Sequence, residues 1–123
     1  MDPTPALRID AEVGLRSLLG ETFEFLERMA PFGAGNPQPI FLTRGASVVD
    51  KRRLGNEGQH MMLKLRSDGA LWTAMAFAQR GGTEQYAAVP LASRIDIAYT
   101  IERDTYDARG APRLILLDHR QNG

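Results

Sequence analysis

Alternation of apolar and polar side chains, with a period of two, dominates the second half of the chain. From His60 to Arg66, Met61, Leu63 and Leu65 fall on one side and Met62, Lys64 and Arg66 on the other, the pattern of a half-buried strand. Leu71, Thr73, Met75 and Phe77 repeat it against Trp72, Ala74 and Ala76. Ser67-Asp68-Gly69 between the two runs predicts a hairpin with a three-residue loop, a register that sets Leu65 opposite Leu71 and Lys64 opposite Trp72. Arg94 to Glu102 alternates Ile95, Ile97, Tyr99 and Ile101 with Asp96, Ala98, Thr100 and Glu102. Arg113 to Arg120 holds Leu114-Ile115-Leu116-Leu117, apolar on both sides, as in a strand covered on its second face. Phe41 to Leu54 is long enough for a bent strand, with Gly45 as a bulge.

Before these strands the period changes. From about Ser17 to Ala30, Leu19, Phe23, Leu26 and Ala30 form one stripe and Leu18, Thr22, Phe25 and Met29 the next, opposite Glu21, Glu24, Glu27 and Arg28, which predicts an amphipathic helix. Ser17 is a candidate cap, Gly20 argues for a later start, and Pro31 ends the helix. Leu7 to Val13 reads as a short edge strand, and Gln79 to Ser93 as a connector with a short helix near Glu84 to Ala88. Five strands, a connector after the third and a helix outside predict a small closed or nearly closed barrel. Periodicity alone does not choose among five-stranded barrels.

Between helix and strands lies Pro31-Phe32-Gly33-Ala34-Gly35-Asn36-Pro37-Gln38-Pro39, nine residues without a charge. Its prolines hold φ negative, whereas Gly33, Gly35 and Asn36 tolerate positive φ. The segment therefore reads as a rigid, packed connector rather than a flexible linker.

This loop, followed by Phe41, resembles the Pro-Phe-Gly-x-Gly-Asn-Pro-x-Pro-x-Phe segment of the C-terminal oligonucleotide-binding (OB) domain in RecJ-type single-strand-specific exonucleases. The resemblance extends to Arg8-Ile9-Asp10-Ala11-Glu12-Val13 upstream, to His60-Met61 with Leu63, and to Asp104-x-Tyr106 with Gly110 and Leu114. It implies a mainly β fold, a five-stranded OB-type barrel with an N-terminal amphipathic helix. It further implies residues 1–123 as one domain of a larger exonuclease, with 1–16 as an extension and edge strand. The parent enzyme would degrade single-stranded DNA from the 5′ end with divalent metal, Mn or Mg, held in a separate catalytic core. The partners implied are single-stranded DNA and that core. Met62 stands where the family often has lysine, with Lys64 two residues later; Asp104 replaces asparagine and Arg113 glutamine.

Composition adds limits. A chain of 123 residues is large enough for one independent core. It has no cysteine, which excludes disulfides and thiolate metal sites and favours an intracellular origin. The sequence carries neither a membrane-length apolar run nor a signal peptide, and the expectation is a cytoplasmic, monomeric fragment. Fifteen basic and fifteen acidic residues cancel. Residues 1–30 hold three basic and six acidic side chains, whereas 44–66 hold Arg44, Lys51, Arg52, Arg53, Lys64 and Arg66 against Asp50 and Glu57, a local excess of four positive charges. Gathered on one face, these would attract phosphates; otherwise they are ordinary solvated charge.

Catalytic material is sparse. His60 and His119 are the only histidines, and metal-assisted hydrolysis needs several converging ligands. Asp118-His119 precedes Arg120 at a strand end, and Gly33 and Gly35 lead into a strand rather than a phosphate-binding helix. The fragment is expected to be inactive. Single-strand binding requires cations along a groove and platforms for bases. The candidates are Arg44, Lys51, Arg53, Lys64 and Arg66, with Trp72 either stacking on bases or packing in the core. Tyr99 reads as core, Tyr106 as a brace of its turn, and Tyr86 as a weak contact. The other functional reading is a protein-docking module, in which Phe32, Gly33, Gly35, Asn36 and Pro37 form an interface to a neighbouring domain.

Overall fold

The computed structural model describes residues 9–18, 28, 38–78, 83–103 and 112–121. Six strands, a 3₁₀ turn and a short helix make up this part. They are β1 (Ala11–Glu12), the turn Leu15–Leu18, β2 (Phe41–Leu54), β3 (His60–Ser67), β4 (Ala70–Ala76), α1 (Thr83–Ala87), β5 (Arg94–Arg103) and β6 (Pro112–Gln121). Strands pair in the order β1-β2-β3-β4-β6-β5, and β5 returns to β2, so β2 to β6 close into a five-stranded barrel. The β4–β6 contact is parallel; the other barrel pairs are antiparallel. This is the OB architecture expected from the sequence.

Closure depends on β2, whose fourteen residues serve two neighbours within the barrel. Phe41 to Ser47 pair with β5 and Ser47 to Leu54 with β3. The strand bends at two irregularities. One lies between Thr43 and Ala46, where Gly45 has φ of 68°, a conformation glycine adopts without Cβ strain. The other leaves Val49 without a partner between Val48 and Asp50, a bulge that the alternation did not reveal.

Inside the barrel, Ala46, Val48, Leu63, Leu65, Ile97, Tyr99, Leu114 and Leu116 are fully enclosed. Tyr99 shares a 2.7 Å hydrogen bond with Thr43 Oγ1; burial pushes its phenol up to about 12. Leu114, Ile115 and Leu116 are all buried, so β6 is covered on both faces, as its run of apolar residues predicted.

The β3–β4 hairpin corrects the predicted register. Ser67 pairs with Ala70, and Asp68 and Gly69 both have positive φ, 54° and 76°. The loop thus has two residues in the type I′ conformation favoured by Asp-Gly, whose twist matches the strands. Leu65 faces Trp72 and Lys64 faces Thr73. A one-residue slip exchanges the two sides of a strand; hence Trp72, Ala74 and Ala76 point inward, while Leu71 is 54% exposed.

Helix α1 closes one end of the barrel. Tyr86 is buried, its ring 4.6 Å from that of His119. Thr83 donates its hydroxyl to the Gln59 carbonyl. The predicted edge strand contributes the two residues of β1, parallel to β2. Of the predicted amphipathic helix, Leu18 lies in the 3₁₀ turn and Arg28 is helical; residues 19–27, 29 and 30 lie outside the described residues, as do Pro31 to Pro37 and Tyr106.

Candidate nucleic-acid interface

On the barrel's outer surface the register places side chains in rows. Ser47, Arg66 and Leu71 form one; Asp50, Lys64 and Thr73 the next; Arg52, Met62 and Met75 the third. Lys64 Nζ donates to Thr73 Oγ1 at 2.8 Å, which draws the ammonium toward β4. Arg52 and Arg66 are exposed and make no hydrogen bond or ion pair among the described residues. Alternate residues of a strand are about 6.7 Å apart, so Lys64 and Arg66 repeat at a spacing near that between phosphates of an extended nucleic-acid strand.

The remaining cationic candidates are engaged by the protein. Lys51 shares its face with Leu63 rather than Lys64. Its ammonium donates to the carbonyls of Ala87 (2.8 Å) and Val89 (2.5 Å), and so caps the C-terminal end of α1. Arg53 grips Glu84 with both terminal nitrogens, at 2.9 and 3.0 Å. This bidentate bond, then the charge attraction, lowers the Glu84 carboxyl pKa and raises that of Arg53. Arg44 donates through Nε to Glu12 at 2.5 Å and lies 3.7 Å from Asp96, its hydrogen bond to Glu12 being the main cause of a raised pKa.

Trp72 is 5% exposed, and its Nε1 donates to the Leu15 carbonyl at 3.0 Å. The ring is a core anchor with no open face for a base, which removes it from the candidate stacking residues. Its edge forms part of an open groove of about 600 Å³ lined also by Arg16, Ala70, Leu71, Thr73 and Pro112. Tyr86, the weak contact candidate, is likewise buried. Phe32, Gly33, Gly35, Asn36 and Pro37 lie outside the described residues.

Arg52, part of the basic segment but not among the candidates, is the β2 cation that shares the outer face with Lys64. Counting outward from the buried Val48 in strict alternation puts Lys51 and Arg53 outside and Arg52 inside. The unpaired Val49 adds one residue and reverses the count. A β-branched residue beside an acid gave no signal that the strand bulged there.

His119 faces Tyr86 rather than solvent. Burial lowers its pKa, opposed by the negative charge of Asp118. Among the described residues no three His, Asp or Glu side chains converge to hold a metal, and no helix is long and apolar enough to cross a membrane.

A five-stranded barrel closed in the order β2-β3-β4-β6-β5 defines an OB module. The family model for the RecJ OB domain matches residues 9–118, and the chain belongs to that family. It is 26% identical over 117 residues to the single-stranded-DNA-specific exonuclease RecJ of Bacillus subtilis, covering 95% of this chain and 14% of that protein. The crystal structure of RecJ from Thermus thermophilus in complex with Mn²⁺ superimposes with a TM-score of 0.67 at 26% identity, over all of this chain and 17% of that one. The corresponding Mg²⁺ complex gives 0.58 at 25% identity, over 87% of this chain and 15% of that one. The chain thus spans about a sixth of the relatives it matches.

Proposed function

We propose that this OB domain holds single-stranded DNA by its phosphates and guides it toward the catalytic core of a RecJ-like exonuclease, itself contributing no catalytic group. The carrying observation is the common outward face of Arg52, Lys64 and Arg66, two of which have no partner among the described residues. Single-strand binding by OB barrels commonly uses this side of the sheet. Divalent metal belongs, on this reading, to the core, in keeping with the Mn²⁺ and Mg²⁺ complexes of the Thermus protein. Binding raises the effective concentration of the scissile strand near that core.

Anisotropy of a labelled single-stranded oligonucleotide tests the reading. Three phosphate contacts give a slope of log K against log salt of about −2, and the triple variant Arg52→Gln, Lys64→Gln, Arg66→Gln should flatten it. Binding that ignores salt and these substitutions would favour the docking role instead.

A further inference from the structure

The outer surface is divided. Along the row Met62, Met75, Ile115, Thr100 the last three are 7%, 2% and 4% exposed although they point away from the barrel interior. That row is therefore covered from β4 to β5 and offers little to a ligand. The row through Ser47 differs. Ser47 is paired on one side with Arg66 of β3 and on the other with Arg94 of β5, because this residue is where β2 passes from one partner to the other. Its neighbours Ala46 and Val48 are fully buried, so Ser47, Arg66 and Arg94 all point outward. With strands about 4.8 Å apart, the two arginine backbones stand about 10 Å from each other across the half-buried serine.

Arg94 is exposed and lies beside the bend of β2. Its Nε lies 3.4 Å from the Gly45 carbonyl, and a Cβ at position 45 would stand 3.1 Å from its Nη2. Glycine at the bend thus leaves the guanidinium room beside the β2 backbone.

From this arrangement, and resting on the single-strand binding proposed above, we infer that the DNA path crosses β2 at Ser47, with Arg94 of β5 as a phosphate contact beyond Lys64 and Arg66. The strand follows the open side of the barrel and leaves the covered row between β4 and β5 untouched. Arg94 has no counterpart in the β3–β4 face alone, and a path confined to that face would not reach it.

Arg94→Gln should weaken binding of a single-stranded oligonucleotide by about three- to tenfold and make the salt slope shallower by about 0.7. Arg94→Lys should restore most of both, and the thermal midpoint of the glutamine variant should match that of the parent, separating lost contact from lost fold. Unchanged affinity in Arg94→Gln alongside weakened binding in Arg52→Gln or Arg66→Gln would overturn the path and leave the binding role standing. Absence of salt-dependent binding by the parent domain would overturn both.

Discussion

Two groups of cations sit side by side on β2 and β3, and they point in opposite directions. Lys51 and Arg53 turn toward α1, where they meet carbonyls and a carboxylate. Arg52, between them in sequence, turns the other way and shares the outer face with Lys64 and Arg66. The first group holds the barrel closed at one end; the second leaves its charge to solvent and to any polyanion that approaches. Local charge density is the same for both, so composition does not distinguish an anchor from a binding residue. Orientation does: one group faces α1 and the other the outer surface of the sheet.

The sharpest separation comes from Trp72, which belongs with the anchors. Trp72→Ala should cost about 3–5 kcal/mol of stability through lost burial and a residual cavity, read in a denaturant melt. Trp72→Phe, which keeps most of the ring volume, should retain oligonucleotide binding. A stable Trp72→Ala domain with weakened binding would return the residue to the interface.

Lys51 comes next. Removing its ammonium leaves the Ala87 and Val89 carbonyls without their donor, and Lys51→Met should destabilise by about 1.5–3 kcal/mol while changing binding little, because its charge is already committed. A large loss of affinity without a loss of stability would merge the two groups.

A smaller effect tests the same barrel end by pH. His119 has a pKa lowered in the folded protein by burial, so near the ordinary value of about 6.5 the unfolded chain binds the proton first. Stability contributed by neutral His119 is full above that value and is lost as pH falls below it. Chemical melts at pH 7.5 and 5.5 should show a decline in the parent that is reduced in His119→Phe, a change that preserves the ring against Tyr86. An equal decline in both would assign the pH dependence to other groups.

Much of the architecture was legible before the structure. The alternating runs at 60–66 and 94–102, the bent strand containing Gly45, the doubly apolar run at 114–117 and the short connector helix all appear where the pattern placed them. The candidate site was less legible. Lys64 and Arg66 lie on the outer face, as alternation predicts; Lys51 and Arg53 turn to the other side, and Trp72, for which stacking and core packing were both open, packs in the core.

Both outcomes have one cause. Alternation states that neighbouring side chains lie on opposite sides, but it does not state which side is inside, and a single inserted residue reverses the answer. At Val49 a bulge adds that residue; at Asp68-Gly69 a turn one residue shorter removes it. The sequence by itself determined strand periodicity, the breaks between strands and the family to which the chain belongs, because these depend on residue types and local spacing. Tertiary structure decided which cations face solvent and that Ser47 links Arg66 to Arg94, because those facts depend on how five strands pair as the barrel closes.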